Sequence, residues 1–275
     1  MGVQKKHAIP VGFSPRLPQT GRMLLLRVRF TVALGLAVTG FASTFATTAR
    51  AVTPGLSGTL SVVPGLGQVV NGKPLEGLGW LLTVGGLYGS GNSRLAQIGF
   101  DLWMYNMYDA YRDARPPAAA NHNVFQNYFA FLNPLNLVDP IGAPIVAFGA
   151  ASNGASGYPA LRDPGAIAMY GFVGLGEEGL YRGFLFPSLS QMTSSKWAGA
   201  ILSSAIFSVA HATGGSSNLQ ASPLAQRFIG GLFFCWQVDR NRYDLRKSIF
   251  AHAWYDILVD DGGMIRGLKL EIPLP

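Results

Sequence analysis

The chain has one cysteine, Cys235, in 275 residues, which excludes an internal disulfide framework and a cysteine-based zinc knuckle. Cys235 itself sits in the apolar run GGLFFCWQ, the setting of a small buried hydrophobe. Charge is scarce as well. Asp, Glu, Lys and Arg make up 13% of the residues, about half the share usual in soluble domains. No Ser-His or Cys-His nucleophile motif and no H-E-x-x-H helix occurs, so neither an acyl-enzyme nor the familiar zinc-protease helix is written in the chain. There is no internal repeat and no basic stripe with interleaved aromatics. The net charge of +7 therefore does not indicate a nucleic-acid partner.

What is present points to a lipid environment. Hydrophobic residues reach 49%, and there are 35 glycines, a residue frequent in membrane helices because it permits close helix contact. Basic residues gather in the first 29 positions, around Arg112 and Arg115, and from Arg240 to Lys247. Each cluster flanks an apolar segment, as the positive-inside rule expects of cytoplasmic loops. The expectation is an all-α, polytopic transmembrane helix bundle in a bacterial cytoplasmic membrane.

Along the chain, residues 1–51 join a basic start, the uncharged run Phe30 to Thr48, and Ala49-Arg50-Ala51. That is the pattern of a secretory signal peptide or of an uncleaved N-terminal membrane anchor. Residues 52–115 form a Gly/Pro-rich membrane hairpin region. There Pro64-Gly-Leu-Gly-Gln68 and the later Tyr105, Tyr108, Asp109, Tyr111 and Arg112 resemble small bacterial membrane hairpin modules; a plain turn between membrane segments is the alternative. Residues 116–134 read as a linker, with His122 solvated, and an interfacial aromatic patch of Phe125, Tyr128, Phe129 and Phe131. Residues 135–265 hold apolar segments at about 135–151, 165–191, 196–213, 223–239 and 247–260, and 266–275 form a tail.

The chemistry lies in residues 135–265. Glu177, Glu178 and Arg182 interrupt the apolar run GFVGLGEEGLYRGFLF, and ionisable groups inside membrane segments tend to face a cavity and mark function. On a helix, Glu178 and Arg182 share a face and can pair, holding one carboxylate as a structural charge. Glu177 points elsewhere and is left for general-base chemistry. Phe207 and His211 share a face of a second helix, and His252 and Asp256 share one of a third. In that geometry Asp256 is a candidate acceptor for the Nδ1–H of His252. Taken singly, each pair has a structural reading, as a helix ion pair or a packing hydrogen bond. Together they suggest one wet pocket with a base, a water and donors for an oxyanion, which amide hydrolysis requires. Glu177, His211 and His252 could equally hold zinc as a His2Glu site, or work without metal.

The order Glu-Glu-x-x-x-Arg, Phe-x-x-x-His, His-x-x-x-Asp resembles the CPBP family of intramembrane proteases, related to type II CAAX prenyl endopeptidases and bacteriocin-processing (Abi) proteins. The resemblance covers roughly residues 135–265. It implies that Glu177 and His211 activate a water, that His252 and Asp256 stabilise the oxyanion or orient the carbonyl, and that Glu178 and Arg182 support the site. Asp256 stands where the eukaryotic branch commonly has Asn, and an ionised Asp cannot donate to an oxyanion. The expected partner is a membrane-associated protein or peptide, and the expected chemistry is water attack on its peptide bond. Two other functions use the same groups: a non-catalytic immunity or scaffold protein, and a transporter or proton relay.

Overall fold

The computed structural model describes residues 52–115, 123–152, 157–211 and 221–260. The signal or anchor expected over 1–51, His122 and the 266–275 tail lie outside the described residues. Those described are helical throughout, with no strand among them.

Residues 54–72 do not make a plain helix, as their glycines and prolines imply. They form two short helices, α1 (Pro54–Leu60) and α2 (Leu66–Val70), joined at Gly65. Gly65 has φ +83, and a Cβ there would lie 1.9 Å from the carbonyl oxygen of Gly77; only glycine fits both conditions. Next come α3 (Pro74–Tyr88) and α4 (Ser93–Asp113), an antiparallel pair joined by a short turn in which Asn92 caps α4 through its side chain. The polar groups of the hairpin motif converge on buried Asp109 of α4. Its Oδ2 accepts from Gln68 Nε2 and from Trp80 Nε1, both at 3.1 Å, and Arg112 pairs with Oδ1 at 2.6 Å.

A capping box at Asn123 and Gln126 starts the short helix α5 (Val124–Tyr128). The apolar segment expected at 135–151 is shorter as a helix. Residues Pro134–Val138 make a 3-10 turn, and α6 begins only at Gly142, running to Ser152, because the prolines at 134 and 140 remove backbone donors. Helix α7 (Pro164–Glu177) opens with Asp163 as cap and Pro164 in the first turn. It runs without a break into a π-helical segment (Glu178–Leu185) and then α8 (Phe186–Met192). Helices α9 (Lys196–Ala210), α10 (Ala221–Arg240) and α11 (Arg246–Val259) complete the bundle.

Among the described residues, no helix is long and apolar enough to cross a membrane. The segments expected at 196–213 and 247–260 form helices of 15 and 14 residues, whereas a span takes about 20. The 20-residue α10 is interrupted by Arg227, Gln237 and Asp239.

One core unites the two regions that the linker suggested were separate. Leu102, Tyr105, Tyr108 and Tyr111 of α4 pack with Leu175, Phe184, Val238, Ile249 and Ala253. The reason is a glycine seam on the long helix. A Cβ at Gly176 would fall 2.4 Å from the carbonyl oxygen of Asp101; one at Gly179, 2.9 Å from the Tyr105 ring; one at Gly183, 2.4 Å from the Tyr108 ring. Residue numbers rise together on the two sides, so α4 lies parallel to α7 and its π continuation. Asp163 ties the two helix starts by pairing with both guanidinium nitrogens of Arg94. Cys235 is buried against Phe186 and Ala200.

Candidate active site

The long helix changes from α to π geometry between the two glutamates. The sequence reading assumed an unbroken α-helix, so this is a correction; isolated π turns inside α-helices are frequent at functional sites. The looser winding is supported from α9, where Ser203 Oγ donates to the Tyr181 carbonyl at 2.7 Å.

Glu178 and Arg182 do meet, with Nη1 3.1 Å from Oε1, and neither side chain is exposed at all. The guanidinium is further held by aromatic faces: its Cζ lies 4.3 Å from the Phe207 ring centroid and 5.1 Å from that of Phe234. This explains the phenylalanine of the Phe207/His211 pair. Its ring roofs Arg182 and packs 4.5 Å from the His211 imidazole and 5.0 Å, edge-on, from Tyr181.

Glu177 is the meeting point. Its Oε1 lies 3.3 Å from His211 Nε2, and its Oε2 lies 3.4 Å from His252 Nε2. Each imidazole is oriented from its other nitrogen. His211 Nδ1 is 2.8 Å from the Phe207 carbonyl, which can only accept, so Nδ1 carries the proton. His252 Nδ1 is 2.7 Å from Glu178 Oε1. Helix α11 comes this near because Gly174 leaves room for the backbone of Ile249 and Ala253.

The Glu178 contact corrects an expectation. Asp256 does not accept the Nδ1–H of His252; Glu178 occupies that position. Asp256 Oδ2 instead lies 3.6 Å from Nε2, on the Glu177 side of the ring. The i,i+4 spacing brings Asp256 to the ring but on the wrong edge for Nδ1. Phe234, which nothing in its apolar run singles out, stacks on His252 with centroids 5.1 Å apart and planes 16° off parallel.

Exposure is graded across the cluster. Glu178 and Arg182 are sealed, Glu177 is 13% exposed and His211 25%. A water or a substrate carbonyl can therefore reach the Glu177/His211 side, while the other side holds the rings in place. Chemically, this is a base with two imidazoles at its two oxygens, a site able to activate water.

The zinc alternative does not fit as the residues stand. His211 and His252 take different oxygens of Glu177. Among the described residues, the group whose ligand atoms all lie within 4.8 Å of one another is Glu76, Asp109 and Asp113. Lys73 and Arg112 already neutralise that group.

The site is a buried glutamate–histidine cluster in a helical protein. Residues 164–258, from the start of α7 almost to the end of α11, match the family model of Rce1-like type II CAAX prenyl endopeptidases. This agrees with the CPBP resemblance: the segment carrying all six candidate residues matches the model of a family of CAAX proteases. No curated protein and no solved structure matches the chain.

Proposed function

We propose that the protein is an intramembrane endopeptidase in which Glu177 activates water to cleave a peptide bond of a membrane-associated protein or peptide. The observation that carries this reading is Glu177 bridging His211 and His252 at 3.3 and 3.4 Å. Water on the exposed side gives a proton to Glu177 while its oxygen bonds to the peptide carbon. His252 is ringed by carboxyl groups of Glu177, Glu178 and Asp256, and can carry a proton on Nε2 as well as Nδ1. It then donates to the oxyanion. As the tetrahedral intermediate collapses, the C–N bond breaks and the proton held by Glu177 passes to the leaving amine. Asp256 keeps His252 on this edge, and Glu178 with Arg182 fixes it from behind.

The membrane reading rests on the matched segment and on surface chemistry. Helices α7, π and α8 together run from residue 164 to 192, roughly 40 Å at 1.5 Å per residue. Helices α9 and α10 turn Trp197, Ile201, Ile206, Val209, Phe233 and Trp236 outward, exposed apolar side chains of the kind that mark a membrane or partner contact. We read the continuous helix of residues 164–192 as the spanning part. Helix α4, with Asp101, Asp109, Arg112 and Asp113 along its length, is a packed helix beside it.

The test compares protein termini by mass spectrometry in membranes from cells expressing wild type or Glu177→Gln at matched levels. New termini that appear only with wild type support the reading and identify the substrate. Identical profiles in the presence of a phenotype common to both strains would overturn it in favour of a scaffold.

A further inference from the structure

A fourth carboxyl group packs beside this site from outside the matched segment. Asp101 of α4 is fully buried. Its Oδ1 accepts from Gln97 Nε2 at 2.9 Å, and its Oδ2 is buried with no hydrogen-bond partner. Among the described residues no lysine or arginine pairs with it. Its backbone lies against Gly176, one residue before Glu177, closely enough that a Cβ at 176 would strike its carbonyl oxygen and Cα at 2.4 and 2.7 Å. The charged groups that act on it are Glu177 from α7 and Asp256 and His252 from α11.

A plain structural reading exists: Gln97 and Asp101, four residues apart, form a helix-surface pair turned inward. It accounts for Oδ1. It leaves Oδ2 unexplained, because a buried polar atom without a partner is destabilising, and an apolar residue would fill the same space without that cost. Groups kept at such a cost beside a cluster of acids and imidazoles are candidates for a role in it.

We infer that Asp101 is a positioning residue of the active site, whose Oδ2–H, delivered by α4, donates a hydrogen bond to the water held at Glu177. This rests on the hydrolytic reading of the cluster. Full burial with no cationic partner among the described residues favours the neutral carboxyl, and the Gln97 amide engages Oδ1 alone. A neutral Asp101 leaves Glu177 as the ionised member of the pair, free to take a proton from water. Two neighbouring acids driven apart in this way are how one site keeps a donor and a base together. The seam of Gly176, Gly179 and Gly183 then has a purpose beyond packing, since it sets the distance at which α4 presents Asp101.

The test uses the full chain and two variants, Asp101→Asn, which keeps a donor of the same shape, and Asp101→Leu, which removes it. Infrared spectra at neutral pH read the carbonyl stretch of protonated carboxyl groups, above the amide band, and need no substrate. Wild type should show a band that Asp101→Asn lacks; coincident spectra overturn the inference. Cleavage is followed on a quenched fluorescent peptide spanning a site found by the comparison of termini. Asp101→Asn should stay within about threefold of wild type, while Asp101→Leu loses at least about tenfold in kcat with KM nearly unchanged, the sign of an interaction made in the transition state. Wild-type kcat in Asp101→Leu overturns the inference. If Asp101→Leu does not fold, the infrared band and the retained activity of Asp101→Asn decide it. If no cleavage depends on Glu177, the proteolytic reading fails by itself. The infrared band then decides alone, and its absence from wild type overturns the inference.

Discussion

His252 Nδ1 lies 2.7 Å from Glu178 Oε1, a contact between residues 74 positions apart in the chain. The same carboxylate pairs with Arg182 at 3.1 Å. Glu178 therefore joins a buried cation to the His252 imidazole, and it is the second glutamate, not Asp256, that orients the ring from Nδ1. Replacing Glu178 by Gln keeps the shape but leaves Arg182 as an unpaired buried charge. Loss of one partner of such a pair costs about 3–5 kcal/mol. Glu178→Gln should thus unfold at markedly lower denaturant concentration, and adding Arg182→Met should restore part of the loss. A double variant no more stable than the single one would show that the ion pair is not what holds this end of the site.

His211 is the opposite case. It is a quarter exposed, sits at the end of α9 and touches Glu177 at 3.3 Å. His211→Asn should leave stability within about 1 kcal/mol of wild type, as expected of a partly exposed position. It should lower the cleavage rate on the order of 10²-fold or more, the contribution typical of a positioned acid or base. Urea unfolding and the peptide assay measure the two effects separately. Equal losses in both would make His211 a packing residue.

These two residues also show what the sequence could and could not tell. Glu178 with Arg182, and Phe207 with His211, are legible because they are local: a spacing of four puts each pair on one helix face whatever the rest of the chain does. Helix positions were legible for the same reason, from charges and prolines bounding apolar runs. The Glu178–His252 contact was not, because it depends on how closely α11 approaches at Gly174. The π turn was not, because no local residue preference announces it. Asp101 lay hidden in the mixed pattern SRLAQIGFDLWMYNMYDAYRD, where a single Asp looks like a solvated position until the fold buries it.

Gly176 carries the third prediction. A methyl group there meets α4 backbone rather than a movable side chain, at 2.4 Å from the Asp101 carbonyl oxygen. The helices must separate, and overpacking of this kind costs about 1–3 kcal/mol. Gly176→Ala should lower the melting temperature and reduce cleavage more than stability explains, since it displaces Glu177 and Asp101 together. Gly79→Ala, where nothing lies within 4 Å, is the control and should be neutral or slightly stabilising, as alanine favours the helix. If both variants behave alike, the seam does not set the site.

Asp139 gives a prediction about pH. It sits before α6 and makes no ion pair or hydrogen bond with the Glu177 cluster among the described residues. Burial raises its pKa, but the Gly142 N–H, the Gln237 amide and the Lys247 ammonium outweigh that and hold it below the ordinary value of 3.8. Its Oδ2 accepts from Gly142 N at 2.9 Å and Gln237 Nε2 at 2.7 Å, and Lys247 Nζ reaches Oδ1 at 3.1 Å, so one carboxylate ties α6, α10 and α11 together. A group whose folded pKa is depressed contributes stability that is present above its unfolded pKa and is lost as pH falls through the folded value. Asp139→Asn should therefore be less stable than wild type by on the order of 2 kcal/mol at pH 7, the worth of hydrogen bonds to a charged group. The gap should narrow as pH falls below about 4, where the carboxyl of the unfolded chain begins to protonate, and close as pH passes the depressed value of the folded protein. Urea unfolding of both proteins across that range measures the gap. A difference that stays constant with pH would mean that the shape of the side chain matters here and its charge does not.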